Sequence, residues 1–270
     1  MKLLFMGSAE FAQPTLQALI DSTKHEVLKV ITQPAKPAGR GLQNKATPIY
    51  DLAVKNHRDC YTFLPSAKEL QRWGVEGIVV VAYGEKIPTE IHNQFLCLNV
   101  HPSLLPKYRG ASPLQTALLN GDAETGVSII MVAERMDAGD IVLQKSTPID
   151  ENESIEDLHD RLAQMGAQMM LEALDMDITQ ARRPQDEALV TRCRKIKKED
   201  SKINWSDSPL KIHNQVRAIS GFTEHKGKRV KIWETHLVNG TLEIDQVQPE
   251  GKTPMPYAEF VKGYGALQKH

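Results

Sequence analysis

A doubly wound α/β domain followed by a smaller β-rich unit is the fold the sequence predicts, on three observations. Short apolar runs alternate with amphipathic stretches over most of the chain, the rhythm of strands joined by crossover helices in a Rossmann-like, mostly parallel sheet. A polar, charged and aperiodic stretch at 183–202 breaks that rhythm and reads as a linker. Period-two alternation follows it, which favours antiparallel strands. The expected organisation is a domain over 1–182, the linker, and a small β-rich domain over 203–270.

KLLFMG and EVLKVIT read as strands, and FAQPTLQALID between them reads as a helix with Phe11, Thr15, Leu16 and Leu19 along one side. Ser66 and Glu69 have capping-box spacing and start a helix through Trp73, which leads into the apolar strand GIVVVAYG. CLNV is the next strand. Ser112 and Pro113 open a helix that Gly121 can close, because proline at the first helical position gives up no hydrogen bond. VSIIMVA and IVLQKSTPI read as two further strands, and Ser154 starts a long helix to about Asp175. In the small domain SPLKIHNQVRAI reads as a helix, with KRVKIWETHL and TLEIDQVQ as strands.

The 270 residues are 41% hydrophobic, enough to fill a core. No apolar run approaches a membrane span, and MKLLFMGSAEF breaks at Gly7 without the pattern of a secretory signal. Cys60, Cys97 and Cys193 lie far apart with no C-x-x-C. That spacing suggests neither a disulfide framework nor a zinc site and fits a reducing cytoplasm. With a formal net charge of -1, any nucleic-acid surface has to be a local patch. Two stretches are candidates, although by composition alone the first reads as a solvated surface loop and a charge run is usually a solvated face. Residues 33–48, QPAKPAGRGLQNKATP, read as a long loop carrying Lys36, Arg40 and Lys45 with no acidic residue, and from 192 to 231 twelve basic residues stand against four acidic ones.

In an open parallel sheet, ligands gather beyond the carboxyl ends of the strands, and NVHPSLLPKYRGASP (99–113) begins at such an end. Asn99 and His101 are two apart in extended backbone, so both side chains leave one face. Pro102 keeps His101 out of helical geometry. An isolated N-x-H pair is more often a turn cap and an ordinary histidine, so this pair draws its weight from context. An amide and an imidazole then face one pocket. MDAGD carries Asp137 and Asp140, either of which by default reads as a helix cap or turn residue, and spacing alone does not separate them. Leu104, Leu105 and Pro106 can wall a flat ring system, or simply pin the loop to the core. MGSAEF carries one glycine rather than G-x-G-x-x-G, so no dinucleotide is expected.

With its flanks this run resembles the folate-dependent formyltransferase family, in which N-x-H-x-S-L-L-P is the catalytic strand end and folate-binding loop. FMGSAEFAQPTL, TQPAKPAGRG, VVVAYGEKIP, NGDAETGVSI and MDAGDIVLQ look like the branch of that family that formylates methionyl-tRNA, over about residues 1–175. INW, KIWE and VQPEGKTPM do so more loosely in the tail. The resemblance implies formyl transfer from 10-formyltetrahydrofolate to the amino group of methionyl-initiator-tRNA in the cytoplasm, with no metal, membrane or obligatory protein partner. It implies Asn99, His101 and Asp137 as the catalytic trio, with Asp137 rather than Asp140 as the acid. It puts Ser103, Leu104, Leu105 and Pro106 on the folate, and Gly84, Glu85, Lys86, Ile87 and Pro88 against its pterin.

By the same resemblance, Lys36, Arg40 and Lys45 reach the acceptor end of the tRNA. Phe11 is a candidate for the methionine pocket, or equally a core residue. The small domain implied is a partial OB-like barrel. Here the sequence departs from the family: the stretch between KIWETHLVNG and QVQPEGK is short by a strand pair, and ISGFTEHKGKRV replaces the usual proline-glycine-aromatic element. Two alternatives stay open, an acceptor that is an amino sugar nucleotide or other small amine, and a noncatalytic folate- or tRNA-binding relative.

Overall fold

The computed structural model describes residues 1–38 and 43–267. Its first half holds strands β1 (Lys2–Gly7), β2 (Glu26–Ile31), β3 (Lys36–Ala38), β4 (Gln43–Lys45), β5 (Cys60–Tyr61), β6 (Gly77–Val81), β7 (Leu96–His101) and β8 (Arg109–Gly110). Helices α1 (Gln13–Asp21), α2 (Pro48–Lys55), α3 (Ala67–Arg72), α4 (Thr89–His92) and α5 (Pro113–Asn120) lie among and after them. The second half has strands β9 (Glu124–Met131), β10 (Ile141–Pro148), β11 (Arg192–Cys193), β12 (Gly221–His225), β13 (Lys228–Val238), β14 (Thr241–Pro249) and β15 (Met255–Pro256). Its helices are α6 (Ile155–Leu174), α7 (Ile178–Ala181), α8 (Pro209–Ile219) and α9 (Tyr257–Tyr264). No helix among the described residues is long and apolar enough to cross a membrane.

Seven strands form one sheet in the order β10-β9-β7-β6-β1-β2-β5. β1 runs parallel to β2 and β6, β2 to β5, and β6 to β7. β9 is antiparallel to β7, so the sheet changes sense beside the expected catalytic strand. β6 is buried at every position, as a strand covered on both faces must be, which is why it reads as an unbroken apolar run. GIVVVAYG was expected to stay extended to Gly84, but the strand ends at Val81 because Ala82 turns left-handed at φ 45°.

The capping signals act as their chemistry requires. Ser66 and Glu69 form a reciprocal capping box on α3, and the Ser154 hydroxyl accepts from the Asp157 amide at 3.1 Å where α6 begins. Gly121 closes α5 in the left-handed region at φ 67°. Residues 33–48 are not a plain loop. β3 and β4 pair antiparallel within them, with Lys36 directly opposite Lys45.

By their contacts the residues group into two compact units, Met1–Arg109 with Gly126–Ser146 and His159–Arg192, and Gly110–Thr125 with Thr147–Leu158 and Cys193–His270. The core of the first is built from Leu4, Met6, Ile31, Leu70, Ile78 and Val80. The second holds a four-stranded antiparallel sheet in the order β12-β13-β14-β15. Val230 and Ile232 of β13 and Val247 of β14 turn inward against Ile212 and Val216 of α8 and Phe260 of α9. This is the period-two alternation of a sheet with one covered face. Helix α9, which periodicity did not reveal, puts the wholly buried Phe260 between Tyr257 and Tyr264 in a stacked run.

Candidate active site

The carboxyl ends of β1, β2, β6 and β7 line one edge of the sheet, and the loops that leave them are tied together. Ser8 Oγ and Gln33 Nε2 both donate to the Tyr83 carbonyl, at 3.1 and 2.9 Å. Gly84 follows at φ 86°, where a Cβ would come within 2.7 Å of Gln33 Nε2, so the loop after β6 needs glycine there.

Asn99 and His101 stand on this rim at the end of β7, Asn99 between Val80 and Ile130 and His101 opposite Ser128. His101 is 4% exposed and Asn99 is half-buried. Asn99 makes no side-chain hydrogen bond among the described residues. His101 Nε2 lies 3.0 Å from the Tyr108 carbonyl and Nδ1 lies 3.5 Å from Asp137 Oδ1. A carbonyl only accepts, so Nε2 carries a proton. Tyr108 and Asp137, which supply the two partners, both have left-handed backbone, at φ 65° and 56°. Each such residue costs about 1 kcal/mol or more and persists only where neighbours hold it.

Asp140 is separated from Asp137 by its direction. It turns to Arg182, with Oδ2 3.9 Å from Nε in a half-exposed pair. Between them Gly139 passes so close to β9 that a Cβ would overlap the Met131 carbonyl at 1.8 Å.

The 103–106 loop is anchored from below. Ser128, wholly buried, donates to the Ser103 carbonyl at 2.6 Å and accepts from the Leu105 amide at 3.2 Å. Gln144 Nε2 donates to the Leu105 carbonyl at 2.9 Å and to Ser128 Oγ at 2.8 Å. Leu105 packs on Ile130 and Ile141, while Leu104 and Pro106 stay partly open. In the neighbouring loop Gly84, Glu85, Lys86 and Pro88 are exposed and Ile87 is buried. Burial and the adjacent Glu85 push the Tyr83 hydroxyl up to about 12.

Phe11 is 6% exposed and meets the His159 ring edge-on at 5.3 Å. Lys36 and Lys45 are exposed on the β3–β4 pair, and Arg40 lies outside the described residues. A shallow cleft of about 590 Å³ beside Met1, His25 and Arg58 opens at the amino ends of β1 and β2, the opposite edge from His101. Sequence reasoning missed Ser128 and Gln144, which sit inside strands with no motif to mark them, and Tyr108, whose contribution is a backbone carbonyl.

The pattern of the formyl transferase family matches residues 1–174, and that of the formyl transferase C-terminal domain matches 195–241. The methionyl-tRNA formyltransferase of Methylobacillus flagellatus is 40% identical over 257 residues, covering 90% of this chain and 83% of its own. That of Syntrophomonas wolfei is 34% identical over 98% of this chain and 96% of its own. The solved methionyl-tRNA formyltransferase from Clostridium thermocellum shares the fold with a TM-score of 0.61, at 19% identity over 92% of this chain and 98% of that one. So does an N-formyltransferase from Helicobacter canadensis, described in complex with folinic acid and dTDP-3-aminofucose, with a TM-score of 0.67 at 20% identity over 88% of each chain. Matched along both of its parts, and at this identity by relatives that carry the tRNA-directed name, the chain belongs to the formyl transferase family, among its methionyl-tRNA formyltransferases.

Proposed function

We propose that this chain moves a formyl group from 10-formyltetrahydrofolate to the amino group of methionyl-initiator-tRNA, using Asn99, His101 and Asp137. The neutral amine attacks the formyl carbon, and a tetrahedral intermediate forms with its charge on the former carbonyl oxygen. The Asn99 amide donates to that oxygen, and the His101 ring, held at Nε2 by the Tyr108 carbonyl and facing Asp137 at Nδ1, supports the developing charge. Asp137 takes the proton released by the attacking nitrogen, directly or through a water. The carbon–N10 bond then breaks as Asp137 passes that proton on to N10, directly or through a water, leaving tetrahydrofolate, the formylated amine and the regenerated carboxylate. Donors already in place at the developing charge need no reorganisation in the transition state.

The observation that carries this reading is the placement of His101 at the rim of the sheet. One nitrogen is tied to a carbonyl and the other faces a carboxylate, beside an amide without a protein partner among the described residues. The folate is assigned to the 103–106 and 84–88 loops because they flank this edge with partly open apolar groups and fixed backbone. Two features support a tRNA acceptor. Lys36 and Lys45 are like charges directly across from each other, an unfavourable pair that an intervening phosphate relieves. In the second unit the Arg229 guanidinium lies 3.9 Å over the Phe222 ring and Lys231 Nζ 3.2 Å over Trp233, cations and aromatics interleaved as nucleic-acid surfaces have them. Charged tRNA as acceptor puts the reaction in the cytoplasm.

The test offers 10-formyltetrahydrofolate with methionyl-initiator-tRNA and, separately, with a dTDP-linked amino sugar. The expected result is formylation of the tRNA alone, with affinity falling steeply as salt rises. Formylation of the sugar nucleotide and not of the tRNA would contradict it.

A further inference from the structure

Arg109 is a large side chain, 2% exposed, that the proposed reaction does not use. Its Nε donates to Gln185 Oε1 at 2.9 Å, and its Nη2 lies 3.0 Å from Glu187 Oε1. Arg135 binds the same carboxylate at 3.1 Å. Gln185 in turn donates through Nε2 to two carbonyls of the acidic turn, Asp137 at 2.8 Å and Gly139 at 2.8 Å. The orientation of the amide is fixed by its neighbours. A guanidinium can only donate and a carbonyl can only accept, so one flip of Gln185 satisfies all three contacts and the other satisfies none.

The same short segment holds the opposite side of the imidazole. Thr191 Oγ1 accepts from the Tyr108 amide at 2.9 Å, and the Thr191 carbonyl accepts from the Arg109 amide at 2.9 Å. The Thr191 amide donates to the Pro106 carbonyl at 3.2 Å. Residues 185–191, read from composition as part of a linker, therefore touch both left-handed residues that partner His101: Tyr108 on Nε2 and Asp137 on Nδ1. A tether would need none of these bonds.

We propose that Gln185, oriented by the buried Arg109, is a positioning residue that keeps the Asp137 turn in its left-handed form and so sets the carboxylate against His101 Nδ1. This rests on the assignment of His101 and Asp137 to the reaction. Gln185 touches no reacting atom, and its effect on turnover passes through Asp137. A displacement of about 1 Å at a catalytic group lowers rates by about 100-fold.

A double-mutant cycle with Gln185→Met, which keeps the length and removes both donors, tests this. The expected result is a fall in kcat of about 10- to 100-fold, with KM for folate donor and tRNA changed less than about threefold. In an Asp137→Asn background the same substitution should lower kcat by less than about twofold, since an interaction already lost cannot be lost again. A kcat within about twofold of the parent, or an equal fall in both backgrounds, would overturn the positioning role. If thermal melts show Gln185→Met to be unfolded, Gln185→Ala in the same cycle decides by the same criteria. Full activity in Asp137→Asn alone would instead overturn the assignment of the acid, an outcome separate from any result at Gln185.

Discussion

Asp137 and Asp140 stand three residues apart on one turn, yet only Asp137 faces His101, at 3.5 Å, while Asp140 is directed to Arg182 at 3.9 Å. The two carboxylates should therefore behave differently on neutralisation. Asp140→Asn removes one arm of a half-exposed ion pair, a contact worth about 1 kcal/mol at most, and turnover should change less than about threefold. Asp137→Asn removes the proposed proton acceptor and should lower kcat by about 100-fold or more. Steady-state kinetics of the two variants check this, and equal losses would show that the turn rather than one acid matters.

Ser128 and Gln144 fix the proposed folate loop from beneath. Ser128→Ala leaves the Leu105 amide and the Ser103 carbonyl without their partner, a change of about 1–3 kcal/mol for a buried group. The expected outcome is a lowered Tm together with weaker binding of a tetrahydrofolate analogue, by about tenfold, measured by fluorescence titration. A lowered Tm with unchanged affinity would mean that the loop keeps its shape without Ser128.

Lys36 and Lys45 face each other across β3 and β4. Replacing either with alanine should relieve repulsion, leaving stability unchanged or slightly raised, and should weaken tRNA binding. The slope of log K against log salt should shrink by about one for each phosphate contact removed. Affinity measured over a salt series checks the claim, and an unchanged slope would remove these lysines from the tRNA interface.

His213 is buried on α8, with Nδ1 3.0 Å from Thr235 Oγ1 and Nε2 3.1 Å from the Glu151 carbonyl. Burial, reinforced by the nearby Arg217 and His236, holds it below its ordinary 6.5, against weaker support from the Glu151 and Thr235 contacts. The unfolded chain therefore binds a proton first on acidification. The stability His213 contributes is present above about pH 6.5 and is lost as pH falls toward the depressed folded value. Urea unfolding of the parent should show that loss below about pH 6.5, and His213→Gln should show a smaller one. Parallel pH profiles would contradict it.

Much of this was legible in the sequence because local chemistry and global fold agree there. Ser66 with Glu69, Pro113 with Gly121, and the apolar run from Gly77 mark their elements by caps and continuous burial. Asn99 and His101 were readable as a pair because strand period two sends them to one face. Spacing could not choose between Asp137 and Asp140, because the choice depends on a left-handed turn and on where Arg182 lies. Gln185 was invisible for a related reason. Polarity marks a stretch as unlikely to form its own core, but says nothing of whether its side chains bond to another segment, and Gln185 is 48 residues from Asp137. The sense of β9 was hidden as well, since an apolar strand reads alike in either direction.

The central claim is that Asn99 and His101 stabilise charge on the formyl oxygen, and single-turnover formylation of methionyl-initiator-tRNA by Asn99→Ala and His101→Ala tests it most directly. Each variant should form product about 10²- to 10³-fold more slowly than the parent while binding the folate nearly as tightly, since the lost donors act in the transition state. Near-parental single-turnover rates in both variants would contradict it.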